Sequence, residues 1–331
     1  MAEIISIGII GCGEAARVHA QCLGTIEGAE IVACCDTGEN RAAQFARDFH
    51  IPKLTTDVRA IFSNDAIRAV YICTHHDSHV PLALAACEAK KDIFMEKPLA
   101  LEPRDCETVA NAVARSGVKF FMGFKMRFYP MVGRARAFIA NPKIIVAQMM
   151  DVRWGDDFWA NDPRKGGGNA LSEGVHTFDL LSYISGARPV RVFAEGGNYH
   201  HPRFEGMIDG LTATVAFENG AVASVTQGDL GHPALVSKLS FQLFDGSRSA
   251  HLYNRLKTGY FWEGDKSDIE PKIYSEPEET GYLVENMEWI RCLQTGSQPP
   301  CTVLDGWRAT ALVQHAFEAI RTNTPQIFEA P

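Results

Sequence analysis

No Cys-x-x-Cys pair occurs in the 331 residues, and no cysteine falls between Cys106 and Cys292. The nine cysteines are an odd number, and the adjacent Cys34 and Cys35 sit on an apolar run where their side chains point to opposite faces. That is neither a disulfide framework nor a zinc spacing, so reduced and mostly buried thiols are expected. A basic run is also missing, and the formal net charge is −8. A duplex-binding surface needs clustered Lys and Arg, so nucleic acid is not an expected partner. Long apolar stretches are absent too. Ile4–Ile10 is far shorter than the roughly 20 residues that span a bilayer. It follows Glu3 and runs into glycines, unlike the basic start and small-residue cleavage site of a signal peptide. No membrane partner is expected, and the expected location is the cytoplasm. Internal repeats and low-complexity linkers are absent as well.

What is present suits two globular cores. A chain of 331 residues is long for one compact domain, and its 46% hydrophobic and 22% charged content is ordinary for a soluble protein. The first third alternates apolar runs with helical patterns. Ile4–Ile10, Glu30–Cys35, Ala69–Cys73, Asp92–Met95 and Val118–Met122 read as strands. Between them, Ala42, Phe45, Ala46 and Phe49 share one helix face, and His79–Lys90 is Ala-rich. Near-continuous apolar strands separated by helices predict a doubly wound parallel sheet of the Rossmann type over residues 1–123. After Gly123 the strands alternate, as in Leu211, Ala213, Val215 and Phe217, and Asn219-Gly220 marks a hairpin. Residues 124–331 are therefore expected to form a second α/β domain around a large, mainly antiparallel open sheet. Helices are predicted at Leu171–Ser185, ending at Gly186, and near Tyr282–Gln294 and Gly306–Thr322. The stretch 263–280 reads as a polar, acidic surface segment.

Gly11-Cys12-Gly13-Glu14-Ala15-Ala16 matches GxGxxA between a predicted strand and a predicted helix, the context the dinucleotide fingerprint requires. Gly11 permits the tight turn, Gly13 lets backbone approach a pyrophosphate, and Ala16 keeps the helix close to the sheet. The helix start at Glu14 and Ala15 offers N–H groups and positive dipole to phosphates. Asp36 ends the second strand 23 residues after Gly13, where an acid binds the adenosine ribose and repels a 2′-phosphate. Thr37 stands where an NADP binder often has Arg, although Arg41 is within reach of a phosphate. NAD is thus expected in preference to NADP.

Glu96-Lys97-Pro98 follows the strand Asp92–Met95, at the carboxyl edge where ligands of open parallel sheets bind. Lys97 there suits a proton donor or relay if burial lowers its pKa, and spacing alone leaves a surface lysine open. The Lys97–Pro98 bond is expected to be cis. A second constellation runs from Gly166 to Asp179. Ser172, His176 and Asp179 fall at i, i+4 and i+7, hence on one helix face. A helix-capping Ser with a buried structural His is the alternative. A His and an Asp without further close ligands do not make a closed metal site, so no metal is expected.

In this order, the Gly11–Ala16 loop, Asp36, the Thr74–His79 turn, Glu96-Lys97-Pro98, Gly174-x-His176-x-x-Asp179 and Asp305-Gly306 resemble the glucose–fructose oxidoreductase, inositol dehydrogenase and rhizopine-catabolism (Gfo/Idh/MocA) family over nearly the whole chain. The resemblance implies NAD(P)-linked oxidation or reduction at a hydroxyl-bearing carbon of a sugar, cyclitol or related polyol. It implies that Lys97 contacts substrate near the nicotinamide and that His176 is the acid/base residue. Thr74, Glu96 and His79 match cofactor-side positions, and Arg127 resembles an arginine following the sixth strand.

The chain departs from the family at Ser172, where typical polyol dehydrogenases carry Asp, with Glu173 beside it. Ser is shorter, neutral and able to donate, which favours sugar acids or substituted sugars as substrates; Ser172, Arg127 and Asp179 are the candidate substrate residues. Two other readings stand beside a dehydrogenase: an NAD-binding sensor without turnover, and an NAD-assisted lyase or hydrolase. One face of the second domain's sheet, with Thr212, Thr214, Ala216, Ser224, Thr226, Ser240 and Gln242, is small and flat. It predicts a homodimer or homotetramer built through that sheet.

Overall fold

The computed structural model describes residues 3–232, 238–264, 270–276 and 280–329. Two compact units emerge: residues 1–125 with 282–307, and residues 126–281 with 308–331. Sequence order had placed everything after residue 123 in the second domain. The departure is the segment 282–307, which returns to the first unit.

The first unit carries β1 (Ile5–Ile10), α1 (Glu14–Leu23), β2 (Ala29–Cys35), α2 (Glu39–Asp48), β3 (Lys53–Thr55), α3 (Arg59–Phe62), β4 (Ala69–Ile72), α4 (His79–Glu88), β5 (Asp92–Glu96), α5 (Pro103–Ser116) and β6 (Phe120–Gly123). The strands form one parallel sheet in the order β3-β2-β1-β4-β5-β6. Every residue of β4 is buried, as a strand covered on both faces requires. In α1, Ala16, His19, Ala20 and Leu23 form the buried stripe, at the 3–4 residue spacing of one helix face. The chain order reverses between β1 and β4, so the loops leaving those strands flank the switch point where dinucleotides bind in such sheets.

The second unit carries α6 (Pro130–Phe138), β7 (Ile144–Val152), α7 (Asn169–Ser172), α8 (Gly174–Ser185), β8 (Pro189–Gly197), β9 (Gly210–Phe217), β10 (Val222–Gly231), β11 (Leu239–Phe244), β12 (Arg248–Tyr253), β13 (Thr258–Glu263), β14 (Lys272–Ser275) and, at its end, β15 (Gln326–Ile327). Nine strands make one sheet in the order β14-β13-β12-β11-β7-β10-β9-β8-β15, antiparallel except where β10 runs alongside β7. The fold class read from the sequence is therefore the one observed. Gly220 takes φ +81° in the β9–β10 turn, as its hairpin signal requires. The polar stretch 263–280 contains β14; residues 265–269 and 277–279 of it lie outside the described residues.

α9 (Gly281–Thr295) brings residues back to the first unit. α10 (Val303–Thr322) starts in that unit and continues in the second. Among the described residues no helix is long and apolar enough to cross a membrane.

Candidate active site

The cofactor half belongs to the first unit. Gly11 takes φ +87°, and a Cβ on it would lie 2.5 Å from the Cys73 carbonyl oxygen at the end of β4. Only glycine satisfies both the backbone conformation and that approach. Gly13 instead faces open space, with nothing within 4 Å of a would-be Cβ. It caps α1 without a side-chain hydrogen bond, so the first amides of that helix remain donors for an anion. Glu14 is exposed and Ala15 half-buried at this helix start. The cradle and its donors fit a pyrophosphate.

Asp36 is buried at the end of β2. Its Oδ2 accepts the Cys12 N–H at 2.9 Å and its Oδ1 accepts the Gly38 N–H at 2.8 Å. One carboxylate thus ties the phosphate loop to the turn after β2. Arg41, whose side chain is mostly exposed, lies 3.3 Å from the same carboxylate. The arginine considered for a 2′-phosphate is paired with the acid that disfavours one.

Thr74, His79, Glu96 and Lys97 are brought together by two sets of contacts. His79 is buried, with Nδ1 2.7 Å from the Pro98 carbonyl oxygen and Nε2 3.2 Å from that of Thr74. Burial holds its pKa below the ordinary value although both carbonyls favour the charged ring. A neutral ring donates once, and the shorter contact takes the proton. The Lys97–Pro98 bond is cis, as expected. Glu96 accepts the Lys97 N–H on Oε2 at 3.1 Å and meets His19 Nε2 through Oε1 at 3.0 Å.

His19 was not singled out in the sequence, and it begins a longer chain of contacts. Tyr71 donates to Asn286 Oδ1 at 2.8 Å, and the Asn286 amide lies 2.9 Å from His19 Nδ1. With Nδ1 accepting, the imidazole proton sits on Nε2, directed at Glu96. Burial pushes the Glu96 carboxyl up, but the His19 contact and the charges of Lys97 and Lys125 outweigh it and bring the pKa to about 2. Glu285, on α9 next to Asn286, is fully buried, and neither carboxyl oxygen has a partner among the described residues. Burial, and then the charge of Glu96, drive its pKa well above the usual range, so it stays protonated.

The remaining candidate residues belong to the second unit. The predicted helix Leu171–Ser185 is two helices, with the break at Glu173. Ser172 closes α7 and His176 lies in the first turn of α8, both buried. The glycine run bends the chain tightly before α7. Gly168 takes φ +80°, and a Cβ on Gly166 would overlap the Ala160 backbone. Thr177 donates to Gln227 Oε1 at 2.8 Å, and Gln227 Nε2 reaches Asn169 Oδ1 at 3.3 Å, so β10 holds both helices. Glu173 turns toward Lys238, 3.8 Å away, which also meets Asp151 at 2.7 Å.

Arg127 and Asp179, both expected at the substrate, bind each other. Nε donates to Oδ2 at 2.7 Å and Nη2 to Oδ1 at 2.5 Å, in a buried bidentate pair. The guanidinium also lies over the Tyr183 ring, 4.9 Å from its centroid. Cutting one partner of such a pair leaves an uncompensated buried charge. The pair ties Arg127 to α8, the helix that also carries His176.

Two family models match successive parts of the chain. Residues 5–124 match the model described as oxidoreductase family, NAD-binding Rossmann fold, and residues 137–236 match the Gfo/Idh/MocA C-terminal domain. The uncharacterized oxidoreductase YrbE of Bacillus subtilis (strain 168) is 28% identical, covering 99% of this chain and 98% of that protein. Myo-inositol 2-dehydrogenase of Thermotoga maritima is 25% identical, covering 92% and 93%. Levoglucosan dehydrogenase, solved in complex with NADH and levoglucosan, superposes with a TM-score of 0.91 at 19% identity, over 98% of this chain and 99% of that one, a likeness of fold. With the glycine cradle, Asp36 and the Glu96-Lys97-Pro98 turn in place, the chain belongs to the Gfo/Idh/MocA oxidoreductase family and carries its NAD-binding Rossmann fold.

Proposed function

We propose that this enzyme oxidises or reduces a hydroxyl-bearing carbon of a sugar, cyclitol or sugar acid, with His176 as the proton-transfer group and Lys97 holding charge on the reacting oxygen. The observation that carries the reading is the buried Tyr71–Asn286–His19–Glu96 chain, which ends on the Lys97 amide. So long a set of satisfied contacts behind one half-buried lysine fits a side chain whose position matters. The relative that acts on myo-inositol supports the substrate class.

Bound NAD supplies the hydride chemistry, and the protein supplies orientation and electrostatics. The α1 amides and the Gly13 cradle hold the pyrophosphate, and Asp36 takes the adenosine ribose. Thr74, Glu96 and His79 shape the nicotinamide end, with His79 acting through the Thr74 and Pro98 carbonyls. His176 accepts the hydroxyl proton as the carbon is oxidised and returns it in reduction. Ser172, adjoining the break before α8, sets substrate preference. Arg127 and Asp179 act indirectly, by fixing α8. The enzyme works in the cytoplasm as a homo-oligomer joined through the open sheet face.

A panel of polyols, sugars and sugar acids with NAD, followed at the reduced-nicotinamide absorbance, tests this reading. Stoichiometric NADH formation on a member of the panel is expected. Conversion without net NADH would point to an NAD-assisted lyase or hydrolase, and cofactor binding without any turnover to a sensor.

A further inference from the structure

The second unit buries two carboxylates that no lysine or arginine meets. Asp209, before β9, and Asp229, near the end of β10, are fully buried, and among the described residues neither lies within ion-pair distance of Lys or Arg. The basic side chain that meets Asp229 is His201, also fully buried, in the β8–β9 connection. One side-chain atom from each of His201, Asp209 and Asp229 lies within 4.8 Å of the other two.

Both carboxylates are held in place by backbone. Asp209 accepts the N–H groups of Tyr199 at 2.8 Å, His200 at 2.6 Å and His201 at 3.2 Å. Asp229 Oδ2 accepts the Trp154 N–H at 2.9 Å and meets His201 Nε2 at 2.8 Å. The pairing of β10 with β7 is interrupted between Gly228 and Gly231, a bulge that re-aims the Asp229 side chain. The other carboxylate oxygen, Asp229 Oδ1, is buried with no hydrogen-bond partner among the described residues. A buried carboxylate oxygen left bare is costly unless a cation occupies that space.

We propose that His201 Nε2, Asp209 and Asp229 bind one divalent first-row transition cation of the Zn²⁺ or Mn²⁺ kind. One imidazole and two carboxylates suit such ions. Donors at about 2.1 Å from a tetrahedral ion lie roughly 3.4 Å apart, so the three groups, now within 4.8 Å of one another, draw together by up to about 1.4 Å as an ion enters. His201 Nδ1 lies 2.9 Å from Asp156 Oδ1. With the ion on Nε2, Nδ1–H donates to that carboxylate, the arrangement that fixes the tautomer of metal-bound histidines. A proton on Nε2 is the ion's competitor. It brings one charge for two buried carboxylates and leaves Asp229 Oδ1 bare. The site joins the segment after β7, the β8–β9 connection and the β10 bulge, and it shares no residue with those proposed for hydride transfer.

The test uses full-length protein stripped with a chelator, titrated with Mn²⁺ and followed by electron paramagnetic resonance. Mn²⁺ is chosen because the nine thiols compete for Zn²⁺. One tightly bound equivalent is expected, with nitrogen coupling from a single imidazole and a melting temperature that rises with Mn²⁺ concentration. Asp229→Asn should abolish that binding, and Asp156→Asn, outside the coordination shell, should weaken it about 10-fold to 100-fold. No stoichiometric binding at millimolar Mn²⁺, bound Mn²⁺ without nitrogen coupling, or binding unchanged in Asp229→Asn would each overturn the proposal. The nitrogen coupling is read on the unmodified protein, so the test stands even if a variant fails to fold.

Discussion

His19 Nε2 lies 3.0 Å from Glu96 Oε1, both side chains buried in the first unit. The contact makes Glu96 a stabilising anion with a definite pH window. Its folded pKa of about 2 lies below the ordinary 4.5, so its stabilisation is complete above about pH 4.5 and is lost as pH falls through 2. The shift corresponds to at most about 3 kcal/mol. Thermal melts between pH 2.5 and 7 should show Glu96→Gln destabilised at pH 7 and converging on wild type toward pH 2.5. Parallel pH profiles would show that Glu96 carries no such linkage.

Glu285 has the opposite sign. Its folded pKa is raised by burial, so the native state keeps a proton that the unfolded chain releases above about pH 4.5. Each further pH unit, up to the folded pKa, favours unfolding by as much as about 1.4 kcal/mol. Glu285→Gln keeps the neutral form permanently. Its melting temperature relative to wild type should rise steadily from pH 5 to pH 8. A difference that stays constant over that range would contradict a protonated native Glu285.

Cofactor binding should fail in two distinguishable ways. Gly11→Ala drives a Cβ to 2.5 Å from the Cys73 carbonyl oxygen at φ +87°, so it should destabilise the fold by roughly 1–3 kcal/mol and also weaken NAD. Asp36→Asn should weaken NAD by about 10-fold to 100-fold, the value of a charge-assisted hydrogen bond, and narrow the preference over NADP. Titrating both cofactors against each variant separates the two effects. Tighter NADP than NAD binding by the unmodified protein would contradict the role of Asp36.

The parts of this site legible in the sequence were those carried by local spacing. Gly11, Gly13 and Asp36 announce themselves because strand, turn and helix follow one another within a short stretch. His19 carried a weak signal, a histidine on the buried stripe of α1 with Ala16, Ala20 and Leu23. What it does depends on Asn286, 267 residues away, and no local pattern encodes that contact. The same holds for α9, whose amphipathic pattern predicts a helix but not the unit it joins. The break at Glu173 was hidden because Ser172, Glu173 and His176 keep nearly helical spacing across it. Arg127 and Asp179 read in sequence as candidate substrate residues, and their mutual pairing came only with the fold. β14 and β15 escaped because strands of four and two residues carry too few alternating residues to stand out.

The open face of the nine-stranded sheet should self-associate. Thr212 pairs with Thr226, and Ser224 sits between Thr214 and Val146, all on the same side. Exposed Ile144, Val146 and Val222 add apolar surface there. A flat face mixing small polar and β-branched side chains can pack on its own copy about a two-fold axis. Light scattering at micromolar concentration should give a dimer or tetramer, and Val146→Lys should shift it toward monomer. A monomeric unmodified protein would rule the interface out.

Ser172 and His176 should separate specificity from proton transfer. They lie on either side of Glu173, one closing α7 and the other opening α8, both buried. His176→Ala removes the proposed base and should lower turnover by about 100-fold or more, with KM changing less. Ser172→Ala removes only a short neutral hydroxyl and should change which substrate is preferred while the best substrate still turns over. Ser172→Asp introduces the carboxylate typical of the family's polyol dehydrogenases. It accepts hydrogen bonds from a polyol, repels a sugar acid and, if it reaches His176, raises the pKa of that imidazole. It should therefore move preference from sugar acids toward plain inositols and shift the acidic limb of the pH–rate profile for oxidation upward. Wild-type turnover in His176→Ala on an active substrate would remove His176 from the mechanism. Loss of turnover with intact substrate binding in Ser172→Ala would make Ser172 part of the catalytic machinery.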